Sequence, residues 1–98
     1  MKTLEEIKRI LRKKKNFLKE EYGVKEIGIF GSYAREEQSE VSDVDILVEF
    51  ERPIGLKFFE LADYLEKILE TRIDLLTSNA LQQKPLLWQS VKEDLIYV

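Results

Sequence analysis

Asp43-Val44-Asp45-Ile46-Leu47-Val48-Glu49-Phe50 alternates without interruption. Val44, Ile46, Val48 and Phe50 fall on one side, and Asp43, Asp45, Leu47 and Glu49 on the other. That period of two belongs to a β-strand and not to a helix. Such a strand lays an apolar row against a core and leaves two carboxylates, two residues apart, on the opposite face. Upstream, ten residues separate Asp43 from Gly31-Ser32, which ends a second, shorter alternation over Lys25-Glu26-Ile27-Gly28-Ile29-Phe30. Gly31-Ser32 therefore predicts the close of one strand and the start of a brief helix from Tyr33 to Glu36, with Ser32 as its N-cap.

Toward the N-terminus, Thr3 and Glu6 have the spacing of a capping box. Leu4, Ile7, Leu11 and Leu18, widened by Ile10 and Phe17, predict one helix from about 4 to 21, closed by Gly23 in a left-handed cap. Beyond the strand, Pro53 and Gly55 mark a turn. Phe58, Leu61, Ala62, Leu65, Ile68 and Leu69 then form the apolar stripe of a second long helix. A third strand is expected over about 72–77, a helical turn over 79–83 stopped by Pro85, and a last helix from Leu86 to Leu95 leading into Ile96-Tyr97-Val98. The expected order is α-β-α-β-α-β-α in a single domain over 1–98, of α/β class.

Composition narrows the chemistry. Among 98 residues there is no Cys and no His, so disulfides, thiolate zinc sites, Ser-His-Asp triads and imidazole bases are excluded. Any metal would be held by oxygen, which favours hard cations. Ile, Leu, Val and Phe supply 34 residues, ample for a folded core. No apolar run approaches the length of a membrane span, and the Lys-rich start continues into an amphipathic segment rather than a signal sequence. A cytoplasmic location without membrane contact is expected. The net charge of −3 conceals an asymmetry: residues 1–25 hold nine Lys or Arg against four Glu, while residues 36–51 hold seven acids and no base. An acidic run of that density repels itself unless something neutralises it.

Asp43 and Asp45 have Cα atoms about 6.6 Å apart on one strand face, so their carboxylates can converge on divalent ions. Arg72-Ile73-Asp74-Leu75-Leu76 repeats the pattern, with Ile73 and Leu75 inward and Asp74 outward, which offers a third carboxylate to the same ions. At Gly31-Ser32, a strand-to-helix turn presents backbone N–H groups to an anion, and glycine permits a phosphate to approach the backbone closely. A blander reading makes Asp43 and Asp45 the solvated half of an edge strand.

The stretch Gly28-Ile29-Phe30-Gly31-Ser32-Tyr33-Ala34-Arg35 through Ser42-Asp43-Val44-Asp45-Ile46-Leu47-Val48 resembles the Gly-Ser, ten residues, Asp-x-Asp signature of the nucleotidyltransferase superfamily that includes DNA polymerase β and kanamycin nucleotidyltransferase. The minimal (MNT) branch is the nearest match, and it covers nearly the whole chain. The resemblance implies a small mixed β-sheet backed by helices. It implies that Asp43, Asp45 and Asp74 bind two Mg²⁺ ions (Mn²⁺ being the alternative), that Asp74 helps activate the attacking hydroxyl, and that Gly31, Ser32 and Arg35 bind the triphosphate of ATP. One departure is visible: many relatives have Arg-Gly-Glu where this chain has Arg35-Glu36-Glu37.

Proteins of this kind are commonly paired with a HEPN-domain RNase toxin and act as its antitoxin by transferring AMP to a tyrosine. The resemblance therefore implies a HEPN-domain toxin in trans as partner and acceptor. A chain of this length also has no room for a separate domain to bind a drug or tRNA, and direct nucleic-acid binding is not expected. Two other readings stand beside this one: an antitoxin that masks its toxin by contact alone, and an aminoglycoside-type small-molecule nucleotidyltransferase. Arg35 could instead be a surface residue paired with a nearby Glu. The basic run Lys8 to Lys15 reads either as a solvated helix face or as a partner surface.

Overall fold

In the computed structural model, which describes residues 2–98, four strands form one mixed sheet with helices on both faces. The elements are α1 (Leu4–Lys13), α2 (Lys15–Tyr22), β1 (Val24–Phe30), α3 (Gly31–Ala34), β2 (Val44–Phe50), α4 (Lys57–Leu69), β3 (Ile73–Thr77), α5 (Ser78–Gln82), α6 (Pro85–Asp94) and β4 (Ile96–Tyr97). The strand order is β3-β2-β1-β4. β1 runs antiparallel to both neighbours, whereas β2 and β3 are parallel and joined by the α4 crossover.

Thr3 and Glu6 form the expected capping box: the Glu6 N–H donates to Thr3 Oγ1 at 3.2 Å and the Thr3 N–H to Glu6 Oε1 at 3.2 Å. The single helix expected over 4–21 is two. Lys14 (φ −102, ψ 5) breaks it, and its N–H turns back to Leu11 O at 3.1 Å. Residues 12–17 are all exposed, and Arg12-Lys13-Lys14-Lys15 are four successive cations. They bury nothing and repel one another, so nothing resists a change of direction there. Gly23 closes α2 at φ +66, as expected. The sheet also gains its fourth member where the chain returns, with Gly28 pairing with Tyr97 and Ile29 with Ile96.

One face of the sheet carries most of the core. Ile7, Leu11 and Leu18 from α1 and α2, and Leu61, Leu65 and Leu69 from α4, close over Ile27, Ile29, Val44, Ile46 and Val48. Every one of these is essentially shut off from solvent. Among the described residues, the opposite face buries only Phe30, Leu47, Leu81 and Val91, with Leu76, Trp88 and Leu95 at its margin. It is covered by α5, which Thr77 caps by accepting from the Ala80 N–H at 3.1 Å, and by α6, which starts at Pro85. Gly28 admits this second layer. A Cβ at that position would stand 2.8 Å from Leu95 Cδ1 and 3.1 Å from Ile96 O.

Candidate active site

Strand parity selects the residues of the site. Since side chains alternate, the row that puts Val44 and Ile46 in the main core turns Asp45 and Leu47 to the thinner face. In the parallel pairing of β2 and β3, Asp45 and Asp74 are direct Cα partners, and in the antiparallel pairing of β1 and β2, Phe30 faces Asp45. The turn after β1 is thereby brought beside Asp45. Gly31 lies at φ +74, and a Cβ built on it would collide with Asp45 Oδ2 and lie 3.1 Å from Asp45 Cγ. Two separate requirements thus select glycine here, the left-handed backbone and the carboxylate seated against it.

Ser32 was expected to cap the short helix. In the structure α3 starts two residues earlier, Phe30 holds the cap position, and no side chain makes a capping bond. The positive φ of Gly31 already turns the chain, so a hydroxyl cap is not needed. Ser32 is half-buried in the first turn, where backbone N–H groups have no intrahelical acceptor. After the helix, Glu36 adopts φ +57.

Asp45 is the electrostatic centre. Partial burial, and then the charges of Asp74 and Asp43, push its carboxyl up to about 6, while the Arg35 guanidinium pulls in the opposite direction. Asp43 stands just ahead of β2 and is paired with Arg72, Nε to Oδ1 at 3.2 Å, with both side chains well exposed. Arg72 precedes Asp74 by two residues as Asp43 precedes Asp45, so the parallel register makes them neighbours. Asp74 is exposed beside Asp45. Arg35 donates to Asp94 of α6 and lies 3.6 Å from Glu37 Oε2. The expected pairing with a nearby Glu is therefore present, but Asp94 is the closer partner.

The sequence spacing offers Asp43, Asp45 and Asp74 to the same divalent ions. Among the described residues, no three His, Cys, Asp or Glu side chains gather closely enough to enclose a metal ion. Asp43 leans on Arg72 instead. The donor set nevertheless fits a hard divalent cation. All its ligands are carboxylate oxygens, and Asp45 is held partly buried against two like charges, a situation that a cation would relieve.

A groove of about 570 Å³ lies elsewhere. It is lined by Phe50, Arg52, Thr77 and Asn79 among others, at the far ends of β2 and β3. Sequence reasoning missed Asp94 and Arg72. Register could have pointed to Arg72, whereas no local pattern signals Asp94, 59 residues from Arg35.

The sequence pattern of the nucleotidyltransferase domain matches residues 11–98. A protein of Methanocaldococcus jannaschii, provisionally named a protein adenylyltransferase, is 60% identical over the full length of both chains. The protein adenylyltransferase MntA of Thermococcus cleftensis is 50% identical, covering 100% of this chain and 98% of its own. Among solved structures, one described as a minimal nucleotidyltransferase superposes with a TM-score of 0.77 at 33% identity, covering 97% of this chain and 95% of its own. A chain from a toxin–antitoxin complex with AMP-PNP gives 0.65 at 26% identity, covering 96% of this chain and 70% of its own. The chain belongs to the nucleotidyltransferase domain family, among its minimal members.

Proposed function

We propose that this enzyme transfers AMP from ATP, in the presence of Mg²⁺, to a hydroxyl of a partner protein, a tyrosine of a HEPN-domain RNase toxin, and thereby serves as that toxin's antitoxin. The observation that carries this reading is the Asp45 carboxylate seated on Gly31 and flanked in register by Asp74. Close relatives named protein adenylyltransferases support a protein acceptor over a small molecule. The toxin–antitoxin chain crystallised with AMP-PNP supports both an adenine nucleotide and a protein partner.

In this scheme Gly31 lets the backbone approach the triphosphate, and Ser32 and Arg35 donate hydrogen bonds to its oxygens. The acceptor oxygen attacks the α-phosphorus, the bond from that phosphorus to the bridging oxygen breaks, and pyrophosphate departs. The hydroxyl proton passes to the exposed Asp74 carboxylate, which acts as general base. Divalent cations held by Asp43, Asp45 and Asp74 would neutralise triphosphate charge and polarise the α-phosphate. The adenylated tyrosine no longer presents a free hydroxyl, and the modification adds a phosphate charge and a bulky base.

A second reading, masking by contact alone, draws on the Asp43–Arg72 pair, which occupies one expected ligand. One assay separates the two. Incubation of the chain and its cognate HEPN protein with α-labelled ATP and Mg²⁺ should label the HEPN protein, and Asp43→Ala should not. An unlabelled partner that is nonetheless inhibited would establish masking. Mg²⁺ should also raise the Tm of the parent but not that of the Asp43→Asn, Asp45→Asn double variant.

A further inference from the structure

Arg35 sits between two carboxylates of different origin. Glu37 is two residues away, within reach of any Arg at this position. Asp94 comes from the end of α6, with its side chain only 19% exposed against 44% for Arg35. Its placement is built by the fold. Val91 anchors α6 in the thinner core layer, Leu95 packs into the space left by the missing Cβ of Gly28, and β4 starts two residues after Asp94 by pairing Ile96 with Ile29. Helix α6 therefore ends beside the Gly31-Ser32 turn.

Stability alone does not account for an acid here. A half-exposed Arg–Asp pair contributes little. Asp94 also adds negative charge to a helix C-terminus, where the backbone dipole already disfavours it. An extra carboxylate next to a triphosphate site is adverse too, unless it holds a cation in place. We propose that Asp94 is a positioning residue: it fixes the Arg35 guanidinium beside the Gly31-Ser32 turn, so that Arg35 donates to the triphosphate of the bound nucleotide. Five N–H groups on a planar fork let Arg35 keep Asp94 and still reach phosphate oxygens. Prior fixation also removes the rotamer entropy that a free Arg side chain would lose on binding.

This role rests on the proposed nucleotide chemistry but is tested by binding, without the transfer step. A fluorescent ATP analogue with Mg²⁺ is titrated into the parent, Asp94→Asn, Asp94→Glu, Arg35→Ala and the Arg35→Ala, Asp94→Asn double variant, with Tm measured for each. Asp94→Asn should weaken nucleotide binding about five- to tenfold, with kcat on the partner protein changed far less than KM for ATP. Asp94→Glu should recover part of the loss. The double variant should bind no worse than Arg35→Ala, because both changes remove one interaction. Unchanged nucleotide affinity with a lowered Tm would make Asp94 purely structural and overturn the proposal. Tighter binding by Asp94→Asn would overturn it as well, since simple relief of repulsion would then dominate. A parent that binds no nucleotide overturns the function itself, a result distinct from either.

Discussion

The two faces of the sheet are built to different rules. Beneath α1, α2 and α4, eleven fully enclosed apolar side chains interlock, and no charged group intrudes. Beneath α5 and α6, four buried residues hold the layer, and Asp45, Asp74, Arg35 and Asp94 crowd its margin. Both faces come from the same strands, residue by residue in alternation, so β2 contributes Ile46 to one and Asp45 to the other. The difference shows where the fold keeps its stability and where it tolerates strain. The thick layer over-determines the backbone, and the thin one can then hold like charges together and a left-handed Glu36.

That division breaks down if a residue of the thin face proves essential to folding, and Asp45 is the sharpest test. Asp45→Asn should reduce nucleotide transfer at least ~10³-fold, equivalent to about 4 kcal/mol of transition-state stabilisation, with Tm equal to the parent's or higher. A collapse of Tm in parallel with activity would erase the distinction. Leu65→Ala, on the thick face, should do the reverse. A cavity in a fully enclosed cluster costs about 2–5 kcal/mol in denaturant unfolding, while the folded fraction keeps its specific activity in the cold.

Acid titration of the metal-free chain gives a smaller difference. The folded carboxyl of Asp45 is raised to about 6 from an ordinary 3.8, so the folded state binds this proton more tightly than the unfolded state. The resulting stabilisation is complete below about pH 4 and is lost as pH rises through 6. Glu6 slopes the opposite way, because its bonds to Thr3 lower it. The quantity to measure is therefore parent minus Asp45→Asn, which should decline between pH 4 and 6 and then level off. A flat difference would mean that Asp45 is solvated like any surface acid. The mildest effect belongs to Glu36→Gly, which relieves the φ +57 conformation and should stabilise the fold by about 0.5–1 kcal/mol in urea melts, with transfer retained.

What could be read from the sequence depended on whether a signal was local. Alternation over 43–50 and over 72–77 places Asp45 and Asp74 on one face, because period two is a property of the strand itself. The departure at Glu36 was also visible, and it falls at a left-handed position. The break at Lys14 was hidden, because Leu11 and Leu18 are a heptad apart and satisfy an unbroken helix equally well. Ser32 as a cap was reasonable by residue type, but the turn was already made by Gly31. The Arg35–Asp94 pair could not be read, since it depends on β4 returning to pair with β1, a long-range event with a two-residue signature.

The direct opposition of Asp45 and Asp74 across parallel strands also limits how this protein can change over generations. Inserting or deleting one residue inside β2 would turn Asp45 into the sealed layer and Ile46 out to the acidic face, ruining site and core in one step. Edits of two residues preserve both sets but carry Asp45 about 7 Å along the strand, away from Gly31. Length variation in descendants should therefore gather in the 36–42 and 51–56 connections, and the strands should keep their length even where their side chains drift.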